Sequence, residues 1–459
     1  MTGMRQKRQI QQKLPLVMEC KGEAPKSMER AESDTTESST ESPAGTKRLM
    51  EATVEPRNQT EALKRVRKNR GGAGIDGMTV SELEDHMRTS WPDIRQQLLE
   101  GTYRPQPVRR VEIPKPSGGV RKLGIPTVTD RLVQQMLLQI LQPRLDPTFS
   151  KHSYGFRPGR SAHQAIARAQ EYIREGYEWV VDMDLEKFFD QVNHDILMSL
   201  LAKRIGDNRV LRLVRAFLKA GVMVDGIACS TEEGTPQGGP LSPLLSNIVL
   251  DVLDMELERR GHRYVRYADD CNIYVRSERA GQRVMASVTR FIERKLKLRV
   301  NPLKSAVGRV SQRKFLGFSF STGKQIKRRI SPQAKKRFKA NVRELTPRAT
   351  GRSLDSVIRG LSAYLRGWKS YYGFCETPSV LRNMDSWVRR RLRSILWKQW
   401  KTPKNRLREL RRRGVYSPAL TRIAKSSKGP WRISATEAMH SALPTKTLDA
   451  LGLPRLATQ

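Results

Sequence analysis

Two pairs of aspartates carry the most chemistry in this sequence. Asp182 and Asp184 close the apolar run YEWVVDMD (177–184), and Asp269–Asp270 sit between the two apolar arms of RYVRYADDCNIYVRS. If the two runs are neighbouring strands in the centre of one sheet, three or four carboxylates meet at its edge. Like charges that close are unfavourable unless cations neutralise them. An all-oxygen donor set, with no His or Cys, suits Mg²⁺. Two such ions can activate a hydroxyl nucleophile and stabilise a departing pyrophosphate during an in-line transfer. The competing reading is that each pair is an ordinary acidic turn at the surface.

The elements around these acids decide whether they can meet. Residues 177–184 read as a strand delivering carboxylates to its C-terminal edge, with Asp182 and Asp184 on one face. RYVRYADDCNIYVRS reads as a hairpin turning at Ala268-Asp269-Asp270. Two more hairpins are signalled, one at Ser117-Gly118-Gly119 in VRRVEIPKPSGGVRKLGIPTV and one at Asp225-Gly226 in VMVDGIAC. The segment beginning near Thr60 reads as a helix that stops at Gly71-Gly72, followed by a turn at Asp76-Gly77. Further helices are predicted over Arg131–Leu141, ending near Pro143, and over Gln191–Leu201 and Arg209–Ala220. Another covers 242–258, with Ser242 as N-cap, Pro243 at N1, and Leu245, Ile248, Val249 and Val252 on one face.

From about residue 330 the chain becomes helical and basic. Leu354, Val357, Ile358, Leu361, Tyr364, Leu365, Trp368 and Tyr371 keep the 3-and-4 spacing of a helix face. That periodicity makes the Trp and Tyr residues core rather than stacking platforms. Between Leu381 and Val415 there are thirteen Lys or Arg and two acids.

A chain of 459 residues is long enough for two or three domains, and its formal net charge is +40. The obvious partner for that charge is a polyanion, nucleic acid first and an anionic membrane surface second; charge alone does not choose between RNA and DNA. There is no run of 18 apolar residues, and no apolar stretch follows the basic N-terminus, so neither a membrane span nor a secretory signal is indicated. Cys20, Cys229, Cys271 and Cys375 stand apart, which argues against a zinc knuckle or a disulfide framework and for reducing, intracellular conditions. Residues 1–55 are polar and aperiodic, rich in Ser, Thr and Glu, and read as a disordered tail or an over-long start to the reading frame.

Seven motifs, in order, carry a family resemblance: KLGIPTVTDRLVQQ (122–135), SYGFRPGRSAHQAI (153–166), VDMDLEKFFD (181–190), GTPQGGPLSPLLSNIVLD (234–251), YADD (267–270), FLGF (315–318) and GLSAYLRGWKSYYGF (360–374). Together they resemble the bacterial group II intron reverse transcriptase–maturase family over about residues 60 to 450. The resemblance implies an α+β, right-handed polymerase: fingers, a palm of mixed β-sheet with helices, and a helical thumb or domain X. The expected organisation is a tail at 1–55, an N-terminal extension and fingers at 56–180, a palm at 181–325, a thumb at 326–400 and a short basic region at 401–459.

Carried over by motif, the resemblance makes Asp184 and Asp269 the holders of two Mg²⁺ ions, with Asp270 completing the carboxylate set. Asp182 is expected to balance charge or make a local hydrogen bond, with a direct role on the metals as the alternative. Phe189 corresponds to the aromatic gate against a ribose 2′-hydroxyl, with Phe188 packed inward. Lys115 and Arg121 resemble the basic pair on the incoming triphosphate, Lys122 being the rival to Arg121. Gln237 resembles the residue beside the nucleotide sugar and template. Lys304 resembles the palm lysine that either donates a proton to pyrophosphate or acts only as a charge. FLGF resembles a primer grip, Leu316 and Phe318 supplying an apolar wall and Gly317 permitting close approach, the competing reading being a plain buried strand. Arg157 and Arg160 are expected on the template backbone, and Arg389, Arg390, Arg391, Arg393, Lys398 and Lys401 are expected to form a phosphate-binding stripe.

The implied activity is RNA-directed DNA synthesis from deoxynucleoside triphosphates on an RNA template with a DNA primer. The implied second role is binding of group II intron RNA to assist splicing. Target DNA is a further implied partner, membrane is not, the oligomeric state is left open, and a cytoplasmic, nucleoid-associated setting in a bacterium is expected. The chain has no candidate cluster for the Cys/His-rich endonuclease of larger members, so priming by a nascent strand at a replication fork is the expected alternative route to mobility. Three other readings stay open at this point: a non-enzymatic RNA-binding splicing factor, a domesticated reverse transcriptase serving a process such as phage defence, and an RNA-dependent RNA polymerase.

Overall fold

The computed structural model describes residues 46–114, 118–224, 227–229, 233–234, 238–347 and 351–457. The chain divides into two compact units, one of them Thr40–Lys335 and the other including Lys336–Gln459. The fold is α+β.

The first unit opens with helices α1 (Leu49–Thr53), α2 (Pro56–Asn69) and α3 (Leu83–Glu100). Pro56 starts α2, where its missing N–H costs nothing, and Arg70 in the left-handed region ends it. The expected tail at 1–55 needs correcting at its C-terminal end. Leu49 and Met50 are buried, Met50 N–H donates to Asp207 at 3.0 Å, and Gly206 N–H donates to Thr46 at 2.7 Å. Residues 1–45 lie outside the described residues.

Strands β1 (Val108–Pro114) and β2 (Val120–Ile125) form the first predicted hairpin, with Pro114 opposite Val120. Helix α4 (Val128–Leu145) follows, capped by Thr127, whose hydroxyl oxygen accepts from Asp130 N–H. It ends at Leu145, two residues past Pro143 and close to the predicted stop. Proline removes one backbone donor, but Asp146 N–H still bonds Gln142 and closes the final turn. Helix α5 (Ala162–Arg174) starts with a reciprocal Ser161–Gln164 capping box. Next come β3 (Trp179–Asp184), α6 (Phe188–Gln191), α7 (His194–Ala202), α8 (Asn208–Lys219), β4 (Val222–Val224) and β5 (Ile227–Cys229).

Helix α9 (Ser242–Arg259) starts at Ser242 itself, with Leu241 in the cap position, one residue earlier than the sequence suggested. The hairpin predicted around Asp269-Asp270 is β6 (Arg263–Tyr267) and β7 (Asp270–Val275), followed by α10 (Glu278–Phe291), β8 (Ala306–Arg309), β9 (Phe318–Phe320) and β10 (Arg328–Ile330).

The strands form three sheets, ordered β2-β1-β4-β5, β6-β7-β3-β8 and β10-β9. The sheet expected to be mixed, the one bearing the carboxylates, is wholly antiparallel; the mixed sheet is the one where β1 runs parallel to β4. The reason is the crossover. Helix α10 carries the chain from β7 to β8, which run the same way, and β3 is inserted between them in the opposite direction. Gly281 lets α10 lie close on that sheet, since a Cβ there would meet Val307 at 2.5 Å. The same apolar core is completed by α4, α7 and α9 through Leu132, Met136, Leu197, Leu245, Ile248 and Leu250.

The second unit is helical: α11 (Pro332–Leu345), α12 (Leu354–Tyr372), α13 (Pro378–Gln399), α14 (Pro403–Arg412), α15 (Leu420–Ala424), α16 (Pro430–Ile433), α17 (Glu437–Ala442) and α18 (Thr445–Ala450). Of the periodic face of α12, Val357, Ile358, Leu361, Leu365 and Trp368 are buried while Leu354, Tyr364 and Tyr371 are half-buried, and Trp368 packs 4.6 Å from both Phe338 and Tyr372. The expected division at 400/401 is not a packing boundary. Leu443, Leu448 and Leu456 are buried, Ser362 donates to the Gly452 carbonyl at 2.9 Å, and the Leu456 and Ala457 amides donate to Asp385 at 3.0 Å. No helix among the described residues is long and apolar enough to cross a membrane.

Candidate active site

The carboxylates meet because of strand register. Val180, Val181 and Met183 of β3 are buried, which fixes the strand in the centre of the sheet. In that register Asp184 pairs directly with Asp270 of β7, and Asp182 pairs with Asn272. Asp269 sits in the β6–β7 turn, immediately after Ala268, whose φ of 56° is left-handed.

The two acids of β3 have different partners. Arg313 donates twice to one Asp182 oxygen, at 2.6 and 3.1 Å, and once to the Lys304 carbonyl at 2.9 Å. Asp182 is thus committed to a partly buried ion pair, the charge-balancing role expected of it. Asp184 instead faces Lys304, whose ammonium lies 3.1 and 3.4 Å from its two oxygens. The loop after the π-turn Ile292–Leu296 is latched to this strand end: Asp184 N–H donates to Ser305 at 2.9 Å, and Asn301 N–H donates to the Asp184 carbonyl at 2.9 Å.

The field at the site is that of crowded anions. Burial pushes the Asp270 carboxyl up to about 8, and the charges of Asp182, Asp269 and Asp184 push the same way. Burial also raises Asp269, with Asp184 adding to it and Arg121 and Lys304 opposing it. Arg121 of β2 therefore acts on this cluster, whereas Lys122, its neighbour on the strand, points to the other face. Among the described residues no three His, Cys, Asp or Glu side chains form a ready metal cage. The chemistry of the donor set nevertheless fits a hard divalent cation: three buried or half-buried carboxylates that repel one another, one of them answered by an exposed lysine.

Phe189 is half-buried and meets the buried Phe188 edge-on, with centroids 5.3 Å apart. One ring thus packs inward and its neighbour stands at the edge of the core, as the sequence suggested. Lys115 and Gln237 lie outside the described residues.

FLGF is not a plain strand. Phe315 and Phe318 exchange both backbone hydrogen bonds at 2.9 Å around a two-residue turn, with φ of 49° at Leu316 and 82° at Gly317. Phe315 and Phe318 are buried, so Phe318 is core rather than part of the expected apolar wall, and it is Leu316 and Gly317 that the turn presents.

Several basic residues predicted on nucleic acid do other work, and these are corrections. Arg157 is buried, pairs with Asp146 at 2.9 Å and donates to the carbonyls of Ser150 and Ser153. Arg160 remains partly exposed, over the Tyr154 ring. In the helical unit Arg389 is buried between Asp385 and Asp449, Arg391 donates to Thr346 and its carbonyl, and Arg393 donates to the Leu443 carbonyl. Arg390 is held by the Trp431 carbonyl and ring. A run of Arg along one helix cannot keep one face, and α13 is wrapped by later helices that the sequence pattern did not reveal. Lys398 and Lys401 are exposed.

Sequence reasoning passed over Arg266, Asp254, Asn247, Arg313 and Ser305. The available signal for Arg266 was a charge at an inward position of an otherwise apolar strand.

Residues 113–320 match the family model described as reverse transcriptase (RNA-dependent DNA polymerase), and residues 335–414 match that of the group II intron maturase-specific domain. Protein YkfC of Escherichia coli (strain K12) is 33% identical over 322 residues, covering 61% of this chain and 84% of YkfC. The group II intron-encoded protein LtrA of Lactococcus lactis subsp. cremoris is 31% identical over 332 residues, 58% of this chain and 55% of LtrA. The chain thus spans about half the length of LtrA. A 91 kDa protein in the cob intron of Schizosaccharomyces pombe is 36% identical over 184 residues, 40% of this chain and 22% of that protein.

Proposed function

The chain belongs to the group II intron-encoded reverse transcriptase/maturase family, and from that premise we propose that it copies intron RNA into DNA at the Asp184–Asp269–Asp270 cluster and also binds intron RNA to assist splicing. The observation that carries the reading is the β3–β7 register, which sets Asp184 opposite Asp270 with Asp269 in the adjoining turn.

In this reading the first unit works as fingers and palm and the second as thumb. Asp184 and Asp269 hold two Mg²⁺ ions and Asp270 completes the set. The ions, when bound, supply the positive charge that activates the primer 3′-hydroxyl and stabilises the leaving pyrophosphate. The chain's own groups do the rest. Lys304, whose ammonium lies 3.1 Å from Asp184, would set a positive charge beside the phosphates, either as proton donor to pyrophosphate or as a charge only. Arg121, with Lys115, offers a bidentate fork and a point charge to the triphosphate. Phe189 stands under the sugar and Gln237 beside it. Arg160, Leu316 and Gly317 contact template and primer, and Lys398 and Lys401 contact phosphates. The partners are intron RNA, an RNA template with a DNA primer, the four deoxynucleoside triphosphates and target DNA.

The test is primer extension on an RNA template with Mg²⁺, comparing deoxy- with ribonucleotides, beside an Asp269→Ala/Asp270→Ala control. Extension with deoxynucleotides that the double substitution abolishes is expected. Folded protein that binds primer–template tightly yet does not extend it would move the reading to the RNA-binding splicing factor.

A further inference from the structure

Directly beneath the turn that presents Asp269 lies a fully buried charge. Arg266 and Asp254 are each 0% exposed. The Arg266 guanidinium donates to the Asp254 carboxylate at 2.5, 2.8 and 3.0 Å, using Nε and one terminal nitrogen. Its other terminal nitrogen donates to Asn247 Oδ1 and to the Ala268 carbonyl, both at 3.0 Å. Asn247 in turn donates from Nδ2 to the Gly155 carbonyl at 3.0 Å. The Arg266 backbone is tied to the same 152–155 segment, accepting from Tyr154 N–H at 2.9 Å and donating to the His152 carbonyl at 3.0 Å. The fit is close enough that a Cβ on Gly155 would lie 2.2 Å from Ala268 N.

A buried ion pair is a poor way to gain stability, because an apolar pair of similar volume commonly does as well or better. What the apolar pair cannot do is hold a carbonyl. The carbonyl held here belongs to Ala268, which sits in the left-handed region with φ of 56°, a conformation unfavourable for any residue with a Cβ. Ala268 is also the residue from which Asp269 and Asp270 emerge, so its peptide orientation sets where those carboxylates point.

We propose that Arg266 is a positioning residue for the catalytic carboxylates: oriented by Asp254 and Asn247, its guanidinium fixes the Ala268 carbonyl and thereby locks the turn that aims Asp269 and Asp270. The proposal rests on the reading that Asp269 belongs to the catalytic set. Arg266 touches no substrate; it acts through the turn. A lysine at 266 keeps a charge for Asp254 but, lacking the planar fork, cannot serve Asp254, Asn247 and Ala268 together.

The experiment compares Arg266→Lys, Arg266→Lys/Ala268→Gly, Asn247→Ala and Asp269→Ala in primer extension, with deoxynucleotide KM and kcat separated. Primer–template Kd, Mn²⁺ affinity of the protein alone and the melting temperature are read in parallel. Arg266→Lys is expected to lower kcat about 10- to 100-fold and to weaken Mn²⁺ binding. KM for deoxynucleotide and primer–template Kd should stay within about twofold, as a loss confined to the turn requires. Glycine at 268 removes the penalty for the left-handed turn, so the double variant should recover several-fold of the lost kcat without a matching rise in melting temperature. If Arg266→Lys does not fold, Asn247→Ala, which leaves the ion pair in place, should lower kcat several-fold with KM unchanged. Wild-type kcat in Arg266→Lys while Asp269→Ala is dead would overturn the positioning role. So would a loss of kcat that glycine at 268 does not recover. Extension that survives Asp269→Ala would instead overturn the functional reading on which the proposal rests.

Discussion

Asp182 accepts two hydrogen bonds from Arg313, while Asp184, two residues on, faces the flexible ammonium of Lys304. A fixed bidentate partner and a displaceable one imply different substitution patterns. Asp184→Asn is expected to reduce extension on the order of 10³-fold, the equivalent of several kcal/mol of lost charge stabilisation. Asp182→Asn should leave kcat within several-fold and lower stability instead. Arg313→Met should cost about 1–3 kcal/mol, less than the loss of a fully buried partner because the pair is partly exposed. A shift of the urea midpoint at constant m, with extension rates measured below the transition, separates the two classes. Phe189 makes a second prediction at this scale. Shortening it to Val removes the ring proposed to stand under the sugar, so the preference for deoxy- over ribonucleotides should fall roughly 10- to 100-fold, read as the ratio of kcat/KM values.

At the scale of elements, the hairpin bearing Asp269 and Asp270, the strand ending in Asp184 and the helix around Pro243 were legible, because turn residues and apolar alternation are local signals. The antiparallel arrangement of the carboxylate sheet was not, since the strand that inserts between β7 and β8 comes from far earlier in the chain. The internal use of Arg157 and Arg391 was equally hidden, because their partners, Asp146 and Thr346, are set by tertiary packing. His152 belongs to this scale too. It lies on the segment that pairs with Arg266, 5.3 Å from the Tyr264 ring and bonded to Tyr172. Burial lowers it from 6.5 to about 4. The unfolded chain therefore binds a proton that the folded chain refuses between those values, so this contribution is complete above pH 6.5 and is lost as pH falls toward 4. After discounting for solvent access, the loss should be about 1–2 kcal/mol, and His152→Phe should flatten the melting temperature against pH over that window. The FLGF turn gives the opposite kind of test. Leu316 at φ 49° carries strain that a glycine would not. Leu316→Gly should leave stability unchanged or raise it by up to about 1 kcal/mol, while weakening primer–template engagement, read as a higher primer–template KM.

For the whole molecule, a net charge of +40 makes nucleic-acid affinity a function of salt before it is a function of anything else. That charge is not uniformly available, however. Arg389, Arg391 and Arg393 are buried and hydrogen-bonded inside the helical unit, whereas Lys398 and Lys401, a turn or two along, are exposed. Counting basic residues along the sequence merges the two groups; burial separates them. The exposed pair should behave as phosphate contacts. Lys398→Ala/Lys401→Ala should preserve the melting temperature and weaken RNA binding without regard to sequence. It should also make the slope of log K against log salt shallower by about one to two, since each lost phosphate contact removes roughly 0.7–0.9 from it. Arg391→Ala should do the reverse. Removing it strands the Thr346 carbonyl in the interior and takes a donor from its hydroxyl, which still bonds the Val342 carbonyl, at a cost of about 1–3 kcal/mol, so the helical unit should melt earlier. For protein that remains folded, the salt slope should be unchanged. Titrations of RNA at several salt concentrations, paired with thermal melts of the same samples, read both quantities. A shallower slope for Arg391→Ala at full fold would return that arginine to the binding surface.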